Sequence, residues 1–350
     1  MDTKVKLLDE ENIDADIIEE AGSVIKEGGL VVFPTETVYG LGANALDASA
    51  VRKIFQAKGR PQDNPLIVHI SDMEEIEPLV RYISPAARKF MDAFWPGPMT
   101  LILPKTELIP DVTSAGLSSI GIRMPSNKIA RVLIKAANVP IAAPSANISG
   151  RPSPTDVERC IEDLEGKVDY ILGGDMCEFG VESTVIDCTV SPSCILRPGR
   201  ITLEMLKKIE EDAYIDPAIM KKPDGKIKPK APGMKYRHYA PKAKVKIVRG
   251  DLKKTIAKIN EMVQNYIDEN KEVGIIATDE TKLYYKDALV ISLGSRKNMI
   301  EVSKNLFETL RRFDDSNVDI IISEAFYEKG MGVAVMNRLQ KSAGFDITEV

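Results

Sequence analysis

Histidine is scarce in this chain, with only His69 and His238 among 350 residues. Two imidazoles cannot build an ordinary multi-histidine metal site. Cysteine is scarce too, and Cys160, Cys177, Cys188 and Cys194 form no C-x-x-C pair. That spacing argues against zinc ligation and a disulfide framework, and for buried thiols in a reducing compartment. No apolar run reaches the roughly 20 residues that a membrane-spanning helix needs. The opening residues lead into an acidic stretch and not a signal-peptide core, so a cytoplasmic protein is expected. Neither a G-x-S-x-G elbow nor a G-x-x-x-x-G-K-[ST] loop occurs. Any nucleotide must be held by another arrangement. An excess of positive charge is also missing: 47 basic side chains face 52 acidic ones, for a net charge of -5. No global cationic field exists to grip RNA or an anionic membrane, although a local basic cleft is compatible with that balance.

The chain does have a sizeable apolar complement, 44% against 28% charged residues, as in ordinary globular proteins. Its length favours two domains. Apolar spacing predicts a helix over residues 13–27, ended by Gly28-Gly29, and a short strand at 30–33. A helix over 49–57 should end at Lys58-Gly59, followed by a strand at 66–70. Helices over 85–94 and 128–137 and strands at 100–103, 119–124, 139–143, 169–172, 183–188 and 194–197 complete the pattern. The last two strands suggest an antiparallel pair. Helices and strands mix without strict alternation, so residues 1–210 are expected to form one α/β domain around a large mixed, twisted sheet. Residues 211–244 carry Pro, Gly and Lys in a linker-like pattern. The end of that linker, residues 231–241, is too aromatic for a passive spacer, and it suggests an active-site lid. Residues 245–350 alternate strands and helices, as in a small parallel, Rossmann-like α/β domain.

Two segments carry the chemistry. Lys58 and Arg60 flank Gly59 after a helix end, placing two cations on a loop at the mouth of a sheet, beyond the strand ends where α/β ligands usually bind and a phosphate could be held. Ser145 and Asn147 follow a strand through Pro144, with Gly150 permitting close backbone approach. Taken singly, the first reads as well as a basic helix terminus, and the second as an ordinary Ser/Asn turn. Thr35, Glu36, Thr37 and Tyr39 offer polar groups before two glycines, and Arg123 at a strand end could clamp a carboxylate. His69 lies in an apolar run and reads as a core histidine.

The segments gain weight together. Phe33 to Gly42 (FPTETVYGLG), Lys58-Gly-Arg60 with Asn64-Pro-Leu66, Trp95-Pro-Gly-Pro98, Arg123-Met-Pro125, Pro144-Ser-Ala-Asn147, Ser149 to Thr155, Val181-Glu-Ser-Thr184 and Leu196-Arg-Pro-Gly199 occur in order. This set resembles the YrdC-like family, in the two-domain form of threonylcarbamoyl-adenylate synthases. The resemblance implies that L-threonine, bicarbonate and ATP give threonylcarbamoyl-adenylate and pyrophosphate. A separate transferase complex would then modify tRNAs that read ANN codons. The family's K-x-R and S-x-N signature falls on Lys58, Arg60, Ser145 and Asn147, implied to be catalytic. Implied ATP contacts are Arg60, Asn64, Ser119, Ser145, Ser153, Arg197 and, from the linker, Tyr236. Implied threonine contacts are Thr37, His69, Arg123, Ala143 and Ser183. Mg2+ would accompany ATP, held mainly by its phosphates. Direct tRNA binding is compatible with this reading but not required by it, and no membrane partner is expected. Two rival readings are a double-stranded RNA or tRNA-binding module, and a carbamoyltransferase-related maturation protein. The first lacks any RNA-binding signature, and the second resembles longer chains with Cys-rich zinc segments.

Overall fold

The computed structural model describes residues 2–222, 229–232 and 238–350. Among them, eleven strands form one large sheet. In spatial order these are Lys4–Leu7, Tyr170–Gly173, Val31–Phe33, Gly40–Asn44, Ile141–Ala142, Ile67–His69, Ser119–Arg123, Met99–Pro104, Thr184–Asp187, Cys194–Arg197 and Tyr214–Ile215. The sheet is mixed: Ile67–His69 runs parallel to Ser119–Arg123, whereas Thr184–Asp187 and Cys194–Arg197 are antiparallel, as their spacing suggested. The second sheet is wholly parallel, in the order Leu289–Ser292, Val273–Ala277, Ile320–Glu324, Lys244–Arg249, Ile347–Glu349.

Amphipathic helices cover both faces of the large sheet. Ala15–Lys26 packs on Lys128–Ala137, and together they bury Ile18, Ile25, Leu133 and Ile134 against one face. Ala48–Lys58, Pro85–Phe94 and Val157–Leu164 bury Ile54, Phe90 and Cys160 against the other. Side-chain oxygens of Asp14, Asp47, Ser84, Asn127 and Asp156 cap their first turns. In the second domain, Leu252–Asp268 covers one face of the sheet. Met299–Asp314 and Met331–Ser342 cover the other, and their apolar cluster also takes in Val38, Val181 and Tyr239 from the first domain and the linker.

Several elements depart from the sequence pattern. Gly40–Asn44, to which the sequence pattern assigned no element, is a buried strand. A side chain at Gly42 would lie 2.7 Å from Ile141 and 2.8 Å from the Phe33 ring, so the glycines there permit close packing. The large sheet also takes a last strand at Tyr214–Ile215, beyond residue 210. The 3-10 turn Pro217–Met220 follows it with Ile219 buried, so the expected linker begins as packed structure. All four cysteines are buried free thiols. Among the described residues, no helix is long and apolar enough to cross a membrane.

Candidate active site

Strand register builds the centre of the site. Ile67, His69 and Arg123 lie on one face, because His69 pairs with Arg123 across parallel strands and side chains alternate along each strand. Ala143 joins them through its N–H, which donates to the Ile67 carbonyl at 2.9 Å. These residues line a cleft with Lys58, Arg60, Ser145, Asn147, Ser149, Ser153, Glu182, Arg197, Pro232, His238 and Tyr239. The cleft spans about 730 Å³ counting its open mouth. It therefore lies on the face of the sheet, not at the mouth beyond the strand ends where the sequence reading placed Lys58 and Arg60. Linker residue Ala231 packs on the same face against Ile67, Ile102, Val185 and Leu196.

Lys58 is not on a loop. It ends the helix Ala48–Lys58 and is 1% exposed. Gly59 follows in the left-handed conformation with φ 60°, which suits glycine, and turns the chain so that Arg60 reaches the cleft. The Lys58 ammonium donates to the Ser145 carbonyl at 2.5 Å, to the Asn147 carbonyl, and to Asn147 Oδ1 at 3.4 Å. Burial, with Arg60 nearby, holds its pKa well below that of an ordinary lysine. The Ser145 hydroxyl donates to Asn147 Oδ1 at 2.5 Å, while Asn147 Nδ2 donates to the carbonyls of Ile148 and Arg151. Asn147 thus organises the turn, and Lys58 fastens that turn to the helix. Gly150 meets nothing within 4 Å where a side chain would stand; its φ of +94° and not a close approach favours glycine.

The other end of the cleft holds Arg123 and His69. Arg123 Nη2 lies 2.8 Å from Glu36 Oε1, both residues being buried. The pair is out of hydrogen-bond alignment, so Arg123 Nε and Nη2 have no hydrogen-bond partner. His69 is buried, with its ring edge-on to Phe33, and Nδ1 is unpartnered. Burial and Arg123 lower its pKa to about 3, leaving the imidazole neutral at physiological pH. His69 is therefore more than the core histidine suggested by its apolar run: it lines the cleft.

Between these ends, Arg197 donates from Nε to the Ser183 carbonyl and from Nη2 to Ser183 Oγ, both at 3.0 Å. Ser183 Oγ also lies 2.8 Å from Thr100 Oγ1. Burial lowers the Arg197 pKa to about 10 despite Glu182 nearby. Ser153 donates to Glu182 Oε1 at 2.6 Å. Burial alone would raise the Glu182 pKa, but Arg338 and Arg197 prevail and hold it at about 2.

Of the residues expected from sequence, Lys58, Arg60, Ser145, Asn147, Ser153, Arg197, His69, Arg123 and Ala143 converge on this cleft. Thr37 and Ser183 lie behind it, fully buried and bonded to Thr35 and Arg197. Asn64 is buried beside Arg60, whose Nη2 faces the Asn64 and Pro65 carbonyls at 3.5 and 3.4 Å. Ser119, at the far end of the strand from Arg123, lines a neighbouring pocket that shares Ile67 and Pro232 with the cleft. Tyr236 lies outside the described residues. Sequence reasoning gave no individual role to Glu182 or Arg338, and placed His238 and Tyr239 only within the expected lid. The polar and aromatic density of residues 231–241 signalled the latter two. Nothing local marks Arg338, which sits in a buried helix 140 residues from Pro198, whose carbonyl accepts from it.

Residues 23–199 match the Sua5-YciO-YrdC family, described as telomere recombination, which sets the class of the first domain as YrdC-like. Residues 201–344 match the C-terminal domain of threonylcarbamoyl-AMP synthase. The threonylcarbamoyl-AMP synthase of Pyrococcus abyssi is 48% identical over 95% of this chain and 96% of its own length. That of Bacillus subtilis is 43% identical over 97% and 96%. The crystal structure of P. abyssi Sua5 complexed with L-threonine superposes with a TM-score of 0.93 at 47% identity, covering 99% of each chain. Escherichia coli YciO matches 56% of this chain with a TM-score of 0.52 at 27% identity. The chain belongs to the threonylcarbamoyl-AMP synthase family.

Proposed function

We infer that the protein converts L-threonine, bicarbonate or CO2, and ATP into threonylcarbamoyl-AMP and pyrophosphate. The observation that carries this reading is one continuous cleft with a carboxylate-type clamp at one end and a cation- and hydroxyl-lined wall at the other. Arg123 Nε has no hydrogen-bond partner and Nη2 faces the Glu36 carboxylate at 2.8 Å, and the guanidinium fork suits the threonine carboxylate. Neutral His69, with its free Nδ1, suits the threonine hydroxyl or amine. The amine attacks CO2 and loses a proton to give a carbamate; with bicarbonate as the donor, the same bond forms as water leaves. A carbamate oxygen then attacks the α-phosphorus, and the bond to pyrophosphate breaks. Both reactants are anions, so Arg60, Lys58 and Arg197 lower their repulsion and stabilise the developing charge. No side chain in the cleft stands out as a general base, and positioning supplies much of the rate.

Mg2+ belongs with the triphosphate in this scheme. The carboxylates nearby, Glu36 and Glu182, already face Arg123 and Arg338. Among the described residues, no three His, Cys, Asp or Glu side chains gather into a metal site. The ion would neutralise phosphate charge. The product is a reactive mixed anhydride, to be consumed by a transferase acting on tRNA, and the cytoplasm supplies all three substrates.

Incubation with ATP, L-threonine and bicarbonate tests the reading. Pyrophosphate release should require both threonine and bicarbonate, and a threonylcarbamoyl-adenylate mass should appear. Equal release without threonine refutes it. L-Serine should be a poorer substrate and L-valine poorer still, because a site that hydrogen-bonds a hydroxyl rejects ligands lacking one. Equal use of valine would show that the hydroxyl is not read.

A further inference from the structure

We propose that Arg338, in the second domain, is a positioning residue for the nucleotide half of the cleft, acting through Glu182. This deepens the reading given under Proposed function and rests on it. Arg338 lies on the helix Met331–Ser342 and is fully buried. Its Nε donates to Glu182 Oε2 at 3.0 Å, Nη2 to the Glu182 carbonyl at 3.3 Å, and Nη1 to the Pro198 carbonyl at 2.6 Å. Glu182 passes the constraint on, since its other carboxylate oxygen accepts from Ser153 Oγ at 2.6 Å. One guanidinium thus fixes the segment before Thr184, the turn after Arg197, and the loop that bears Ser153.

A second arginine from the same domain reaches that loop independently. Arg311 donates to the Pro152 carbonyl from Nε at 3.1 Å and Nη2 at 2.7 Å, and to both oxygens of Asp163. Pro152 and Ser153 are therefore bound on adjacent residues by the two helices that face the first domain. The guanidinium fork suits this task because it spans a carboxylate and two carbonyls at once, which an ammonium cannot do. The threonine end is built differently. Arg123, Glu36 and His69 sit on strands and loops of the first domain, and among the described residues no hydrogen bond joins them directly to the second domain. Loosening Arg338 should consequently disturb ATP more than threonine, Ser183 being the one implied threonine contact that adjoins Glu182.

The test is a KM split in the pyrophosphate assay on the full-length protein. Arg338→Met should raise KM for ATP about tenfold or more, since misplacement of a binding wall can cost up to about a hundredfold. KM for L-threonine should stay within about twofold. Arg338→Lys, which can still reach Glu182 but cannot span Pro198, should recover part of the loss. Glu182→Gln should show the same split. The double variant should be little worse than the poorer single one, because both act through one contact. If Arg338→Met fails to fold, the isosteric Glu182→Gln and the Arg338→Lys variant still decide. Unchanged KM for ATP in folded variants, or equal rises for both substrates, overturns the proposal. Failure of the wild type to release pyrophosphate in a threonine-dependent way would instead refute the underlying reaction.

Discussion

Lys58 and Arg60 are two residues apart, yet they bear different loads. Arg60 lines the cleft from a partly exposed position, so Arg60→Ala should cut turnover by about a hundredfold or more while the protein unfolds like the wild type. Lys58 also donates to three oxygens of the 145–147 turn. Lys58→Ala should therefore lose turnover and, in addition, about 1–3 kcal/mol of stability from acceptors left unpaired. Urea unfolding alongside the pyrophosphate assay separates the two effects, and equal stability of both variants would contradict this division. The two histidines make a pH prediction. Folded His69 and His238 titrate at about 3, against 6.5 for the free side chain. Between these values the unfolded chain binds more protons, so stability rises with pH. Their contribution is intact above about pH 6.5 and is lost as pH falls towards 3. Glu182, held at about 2 against an ordinary 4.5, acts with the same sign lower down: its contribution is present above about 4.5 and lost as pH falls through 2. Unfolding free energy should fall between pH 7 and 4, and His69→Gln should flatten that slope. An unchanged slope in the variant would remove His69 from the account.

Among the elements, the linker does most to close the site. Its first part is structure, with Tyr214–Ile215 in the large sheet. Further on, Ala231 is buried on the sheet face, and Pro232, His238 and Tyr239 line the cleft. The backbone N–H of Ala240 donates to the Gly150 carbonyl, and the Tyr239 ring stacks on Phe307 of the second domain at 5.0 Å. A segment held on both sides of the substrate space suits a lid that keeps water from a reactive anhydride. The lid residues Met234, Lys235, Tyr236 and Arg237 named by the sequence lie outside the described residues. Limited proteolysis between residues 221 and 237 should slow when ATP and L-threonine are both present. Cleavage unaffected by the ligands would count against a lid.

At the scale of the whole molecule, the second domain braces a cleft that the first domain and the linker line. Arg311 and Arg338 bind Pro152 and Glu182, and the second domain's apolar cluster incorporates Val38 and Val181 of the first. A chain cut after residue 222 would leave Glu182 and those apolar residues facing water. Escherichia coli YciO matches 56% of this chain over 96% of its own length, so that protein lacks a counterpart of the remainder. The truncated chain should therefore fold, but bind ATP more weakly and lose threonylcarbamoyl-adenylate to hydrolysis faster. Full turnover and full ATP affinity in the truncated chain, measured by pyrophosphate release and calorimetry, would deny the second domain any part in the site.

Local sequence determined what local physics can determine. Apolar spacing and capping residues placed the helices Ala15–Lys26, Pro85–Phe94 and Lys128–Ala137 to within a few residues, and the order of the motifs pointed to the family. It also picked out Lys58, Arg60, Ser145, Asn147, Arg123 and Arg197, because charged and hydroxyl groups beside glycine turns are visible in one dimension. Tertiary structure alone decided that the cleft lies on the sheet face, since strand pairing fixes which side chains share a side. It made Gly40–Asn44 a strand, through close packing on Ile141 and Phe33 that no propensity records. It buried Lys58, whose acceptors come from residues 87 and 89 positions away. It also brought Arg338 to Glu182 across 156 positions. An arginine in a buried helix carries no mark of its partner, because the energy that defines its role lies in a long-range contact that exists only after both domains have packed.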